Sequence, residues 1–161
     1  MPFEVAGEAA EVVSLDQDAS LNPDIVCTLG KDPIPLPDDS VDVAIAIHVL
    51  EHIGRQGETG EWFFFWEDLY RVMKHHGKVV FESPRWDKVW AWGDPTHTRV
   101  LSPEALCFFN QESYGIPDSA ISPYRINCDF AAASMDEGDT SFQMTLVARK
   151  PLKPWWANGT E

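Results

Sequence analysis

Residues 48–52 read His-Val-Leu-Glu-His and stand directly behind the apolar run from Val41 to Ile47. Imidazoles and a carboxylate packed this closely can accept, hold or pass a proton near neutral pH. Glu51 and His52 follow His48 at spacings of three and four, so a helical turn beginning there would bring them to one face. A second polar set, Asp94, His97 and Arg99, closes the stretch "WDKVWAWGDPTHTR" at residues 86–99. His48 and His97 are the two candidate general bases. His48, His52, Asp94 and His97 could also ligate a transition metal, but no pair has the H-E-x-x-H spacing, and Glu51 and His52 with His75 and His76 form no recognised ligand set. The expectation is therefore that the chain holds no metal. Asp16, at the end of "EVVSLD", is a third kind of candidate. A carboxylate at a strand end can accept hydrogen bonds from vicinal hydroxyls, or it can cap the turn that follows, and the residue types leave both readings open.

The elements that must position these groups follow from pattern. "EVVSLD" and "DIVCTL" are short β-rich runs separated by the turn-forming "QDASLNP", and the proline-rich "GKDPIPLPDDS" can only be a loop. Residues 41–47 are apolar except for Asp42, as in a strand buried on both faces, which points to a parallel sheet. "EWFFFWEDLYRVMKHHG" places Trp62, Phe65, Trp66, Leu69 and Met73 at helical spacing, with Lys74, His75 and His76 in the last turn and Gly77 as the C-cap. "KVVFESP" then closes a strand-helix-strand unit. "LSPEALCFFN" starts a short helix with Ser102 as N-cap and Pro103 at the first position. "YRINCDF" and "SFQMTLVARK" alternate as an antiparallel closing pair. The fold expected is α/β: a three-layer, Rossmann-like, mostly parallel sheet over residues 11–16, 24–29, 41–47 and 78–83, with the antiparallel pair at one edge.

The chain has 161 residues, 44% of them hydrophobic, which suits one domain over residues 1–150 followed by a tail at 151–161. Trp155 and Trp156 in that tail are expected to pack back on the body or on a partner. With 26 acidic against 12 basic side chains and a formal charge of -14, the averaged field repels phosphate backbones, so nucleic acid is not an expected partner. No stretch approaches the ~20 apolar residues that span a bilayer, and no secretory signal opens the chain, so a cytoplasmic protein without membrane attachment is expected. Cys27, Cys107 and Cys128 are read as buried thiols, far apart and without CxxC spacing. Neither a GxSxG elbow nor a Cys-His nucleophile pattern is present, which leaves hydrolase chemistry without support.

From Asp16 to Gly77 the order of residues resembles class I S-adenosylmethionine-dependent methyltransferases of the type 11-like group. The resemblance is carried by "LDQD", by "LPDDSVDVAIAIHVLEHI" and by "LYRVMKHHGKVV"; the later "WAWGDPTHTRVLSPEALCFF" is similar to a segment of bacterial and phage members. It implies methyl transfer from S-adenosyl-L-methionine, with Gly7, Asp16, Thr28, Leu29 and His48 around the cofactor and Asp16 on the ribose. The acceptor is expected to be a small molecule, bound by Glu51, His52, Trp92, Asp94 and Arg99, with the aromatic 86–99 segment as a lid. Two positions depart from the family pattern. The glycine-rich loop is reduced to "VAGEA" with Gly7 alone, and Thr28 stands where many relatives carry an acid. The alternative implied by that eroded loop is a non-catalytic module that keeps the fold for binding or assembly. A truncated first strand would also expose apolar sheet surface, from which self-association into a homo-oligomer is expected.

Overall fold

The computed structural model describes residues 4–5, 8–9, 11–115 and 124–158. Its strands are β1 (Glu4–Val5), β2 (Glu8–Ala9), β3 (Leu15–Asp16), β4 (Ile25–Val26), β5 (Val41–Ile47), β6 (Met73–Pro84), β7 (Phe130–Glu137) and β8 (Ser141–Ala148). Two α-helices, α1 (Gly60–Val72) and α2 (Val89–Gly93), and several short 3-10 segments complete the described residues. β1 and β2 form a small antiparallel hairpin, β3 and β4 a two-stranded parallel sheet, and the remaining strands a four-stranded sheet in the order β5-β6-β8-β7.

The architecture is α/β, as expected, but less parallel and thinner than the pattern implies. In the four-stranded sheet only β5 and β6 run parallel; β6 with β8 and β8 with β7 are antiparallel. The expected strands at 11–16 and 24–29 shrink to two residues each, and Val12 and Val13 lie exposed with no partner strand among the described residues. The closing pair sits at one edge, as anticipated, although its first strand begins at Phe130 where "YRINCDF" ends.

One face of the sheet carries the core. Phe81 of β6 and Phe142, Met144 and Leu146 of β8 point to α1, whose Trp62, Phe65, Trp66, Leu69 and Tyr70 are buried at helical spacing. Trp66 is fully buried, stacked 4.5 Å from Phe109 and edge-on to Phe81 and Phe130. On β5 the alternation that separates the two faces is visible: Ala44 and Ala46 pack against the core, while Ile45 and Ile47 are 55% and 47% exposed. The apolar run therefore belongs to a strand covered on one face, and among the described residues no second helical layer covers the other. Ile45 and Ile47 are thus exposed apolar sheet surface.

α1 ends four residues earlier than its periodicity suggests. Met73 turns extended (φ -66°, ψ 139°), is buried, and pairs with Val41, so Lys74, His75 and His76 belong to β6 and do not compensate a helix dipole. The residues between Met73 and Lys78 bulge out of register with β5. Gly77 is required there by space and not as a cap. A Cβ would lie 2.8 Å from Met73 Cε, 2.9 Å from the Lys74 carbonyl oxygen and 3.0 Å from that of Val41. Gly77→Ala is expected to cost about 1–3 kcal/mol, the range for overpacking; a melting temperature equal to wild type would show that the bulge adjusts freely.

The proline loop is tied to α1 from beneath. Asp68 accepts hydrogen bonds from the Ile34 amide at 2.6 Å and from Arg71 Nε at 2.7 Å, and Arg71 donates onward to the Ile34 and Leu36 carbonyls. Cys27 and Cys128 are buried, whereas Cys107 is exposed, because its turn of 3-10 helix (Pro103–Phe109) buries only Leu106 and Phe109. Trp155 packs back on the body, stacked on Tyr114 at 5.5 Å. No helix among the described residues is long and apolar enough to cross a membrane.

Candidate functional site

β3, β4 and β5 end on the same side, and the residues after them wall a crevice of about 530 Å³. Open α/β sheets present such a crevice beyond the carboxyl ends of their strands, and this volume suits a small organic ligand. Asp16, Thr28, Leu29, His48 and His52 are all on its wall, brought there from three separate segments. Asp16 uses Oδ1 to accept a hydrogen bond from the Asp18 amide at 2.8 Å, so it does cap its turn. Capping and ligand binding are compatible, since Oδ2 and the second lone pair of Oδ1 remain for a ligand. Gly7 lies outside the described residues.

His48 takes the left-handed conformation (φ 53°), uncommon for a residue with a Cβ and found where the surroundings impose it. The chain thereby turns sharply off β5 into the 3-10 turn Leu50–His52. The turn brings Glu51 back under His48, with His48 Nδ1 3.1 Å from Glu51 Oε1. Glu51 is only 2% exposed. Its other oxygen accepts a hydrogen bond from the fully buried Ser83 hydroxyl at 2.9 Å. His48 Nε2 faces Glu82 at 3.8 Å.

The 94–99 segment is stitched onto this turn through its backbone. The Thr98 and Arg99 amides both donate to the Glu51 carbonyl at 3.0 Å, and His52 Nδ1 is 3.0 Å from the Thr96 carbonyl. His97 is thereby delivered beside Glu51, with Nε2 4.0 Å from Glu51 Oε1 and its ring edge-on to that of His52 at 5.0 Å. Asp94 accepts from the hydroxyl and amide of Thr96, which holds its carboxyl below the usual carboxylate range, and stands 3.8 Å from His97 Nε2.

Arg99 and Trp92 are placed differently from these groups. The Arg99 side chain is buried and donates to the carbonyls of Ile53, Arg55 and Glu58 while lying 4.4 Å over the Trp62 ring. Burial pushes its pKa down, opposed by Glu58. It shapes the 53–58 loop, which forms part of the crevice wall. Trp92 is 70% exposed, its indole nitrogen donating to the Trp86 carbonyl. Of the segment expected to act as a lid, Thr98 is the residue that lines the crevice among those described. Pattern reasoning missed Lys31, Arg55 and Glu58 on the same wall, because nothing in a lone charged residue distinguishes a crevice wall from any solvated loop.

The model of a family described as a methyltransferase domain matches residues 4–81, the stretch that supplies the crevice lining apart from Thr98. No curated protein sequence matches the chain significantly. Among solved structures, a SAM-dependent methyltransferase from Archaeoglobus fulgidus superimposes with a TM-score of 0.55 at 17% identity, over 83% of this chain and 74% of that one. A protein from Pyrococcus horikoshii OT3 gives 0.56 at 14% identity, over 86% and 72%. A structure described as a complex between the Haloferax volcanii Trm112 methyltransferase activator and a protein assigned as a methyltransferase gives 0.51 at 13%, over 84% and 70%. Residues 4–81 thus match the methyltransferase domain family, and the chain as a whole shares its fold with SAM-dependent methyltransferases.

Proposed function

We propose that this chain transfers a methyl group from S-adenosyl-L-methionine to a small-molecule acceptor. The observation that supports this reading best is the convergence of Asp16, Thr28 and His48, from three strand ends, on one crevice inside the segment that the methyltransferase model matches. The crevice fits the group: apolar Leu15, Leu29 and Ile53 line it beside the free acceptor capacity of Asp16. Asp16 would hold the ribose hydroxyls, with Thr28 and Leu29 alongside the base. When bound, the cofactor supplies an activated methyl group that needs little covalent help.

The chain's own residues then have to hold the acceptor, exclude water and take up its proton. His48 is one of two imidazoles on the crevice wall, and the buried Glu51 carboxylate fixes its ring through Nδ1, leaving Nε2 to accept the proton. His97 faces the same Glu51 oxygen, with Nε2 4.0 Å from Oε1, and supports the cluster.

Calorimetry with S-adenosylhomocysteine is expected to show binding at one site. Asp16→Ala should weaken it by about 1.5–3 kcal/mol, the range for hydrogen bonds to a charged group. No heat at millimolar ligand would sink the reading, and unchanged affinity in the variant would leave Asp16 with its turn alone.

A further inference from the structure

We propose that Glu51, His52 and His97 form a binding site for a divalent first-row transition metal of the zinc class. One donor atom from each lies within 4.8 Å of the others, although His97 is far from the other two in sequence. Two imidazoles and one carboxylate are a donor set that suits such ions, and three protein ligands leave a position open for water or substrate oxygen.

Several features go beyond the mere proximity of the three groups. His52 Nδ1 is 3.0 Å from the Thr96 carbonyl, which can only accept, so Nδ1 carries the hydrogen and the lone pair is on Nε2. A backbone carbonyl orienting a histidine in this way is the usual outer contact of a metal ligand. The His97 side chain is 8% exposed, and its Nδ1 is buried with no hydrogen-bond partner among the described residues. Its Nε2 stands 4.0 Å from the buried Glu51 Oε1 and 3.8 Å from Asp94 Oδ2, too far for a direct hydrogen bond to either. The Ser83 hydroxyl on Glu51 Oε2 turns Oε1 toward the histidines. Two amide hydrogen bonds from Thr98 and Arg99 to the Glu51 carbonyl fix the distance between the two ligand-bearing segments.

His52 is also on the crevice wall, so the open coordination position would face the acceptor. There an ion would polarise a bound oxygen and orient it, a task distinct from proton removal by His48. The site does not depend on cofactor binding, so calorimetry with S-adenosylhomocysteine and the metal experiment can fail separately.

The test is titration of the full chain with Zn²⁺ by calorimetry and with Co²⁺ by visible absorption. One equivalent should bind, with a Co²⁺ spectrum of nitrogen and oxygen ligation at low coordination number. His52→Ala, at an exposed side chain, should weaken binding at least tenfold, and His97→Asn should do the same, with melting curves of the metal-free variants confirming that both fold. His75→Ala should leave binding unchanged. Absence of binding, binding insensitive to His52→Ala, or binding lost in His75→Ala would each overturn the proposal.

Discussion

Arg99→Ala is expected to destabilise the folded chain by about 3–5 kcal/mol, the cost of deleting a buried cation that hydrogen-bonds several backbone carbonyls and packs over an indole. The guanidinium donates to three carbonyls of the 53–58 loop at 2.7–3.2 Å and lies over Trp62, and only 8% of the side chain is exposed. Removing it leaves those carbonyls turned inward without a donor and opens a cavity above the indole. Lysine does not restore the network, because a single ammonium cannot satisfy diverging carbonyls with fork geometry. Arg99→Lys should therefore recover less than half of the loss. In thermal melting the alanine variant should fall by roughly 10 °C. Since Ile53, Gly54, Arg55 and Glu58 wall the crevice, ligand affinity should weaken in parallel. A variant that melts within a degree of wild type would show that the loop is held by its backbone contacts, such as the Gln56 amide to the Thr98 carbonyl.

That role for Arg99 could not be read from its neighbours in sequence. Its partners are backbone carbonyls more than forty positions away, and a carbonyl has no residue-type signature. The same holds for the meeting of Glu51 with His97, which depends on two amides bonding one carbonyl across the gap. What periodicity could show, it showed: the buried face of α1, the strand behind His48 and the second strand of the closing pair appear where apolar spacing puts them, whereas the first strand of that pair begins at Phe130, the last residue of "YRINCDF". The errors fall where two elements compete for the same residues. Lys74, His75 and His76 continue a helical pattern, yet pairing of Met73 with Val41 pulls the chain into the sheet, since a buried Met73 can be satisfied either way. The apolar run at 41–47 looked buried on both faces because a strand's own sequence does not say whether a second layer will cover it.

Glu51 offers the sharpest separation of fold from chemistry. Glu51→Ala is expected to cost about 2–4 kcal/mol, because the buried Ser83 hydroxyl and His48 Nδ1 both lose their acceptor and a cavity replaces the side chain. His48, held at φ 53°, also loses the contact that keeps its turn in place. Glu51→Gln keeps the volume and an acceptor oxygen for Ser83, so it should cost no more than about 1 kcal/mol. It nonetheless removes the charge that would draw in a metal ion and orient the His48 ring for proton uptake. The two substitutions should therefore diverge: chemical denaturation separates them by at least about 1 kcal/mol, while metal binding and methyl transfer fall in both. If Glu51→Ala instead raises the denaturation midpoint, desolvation of the carboxylate outweighs its hydrogen bonds, and Glu51 is kept at the expense of stability for the chemistry of the crevice.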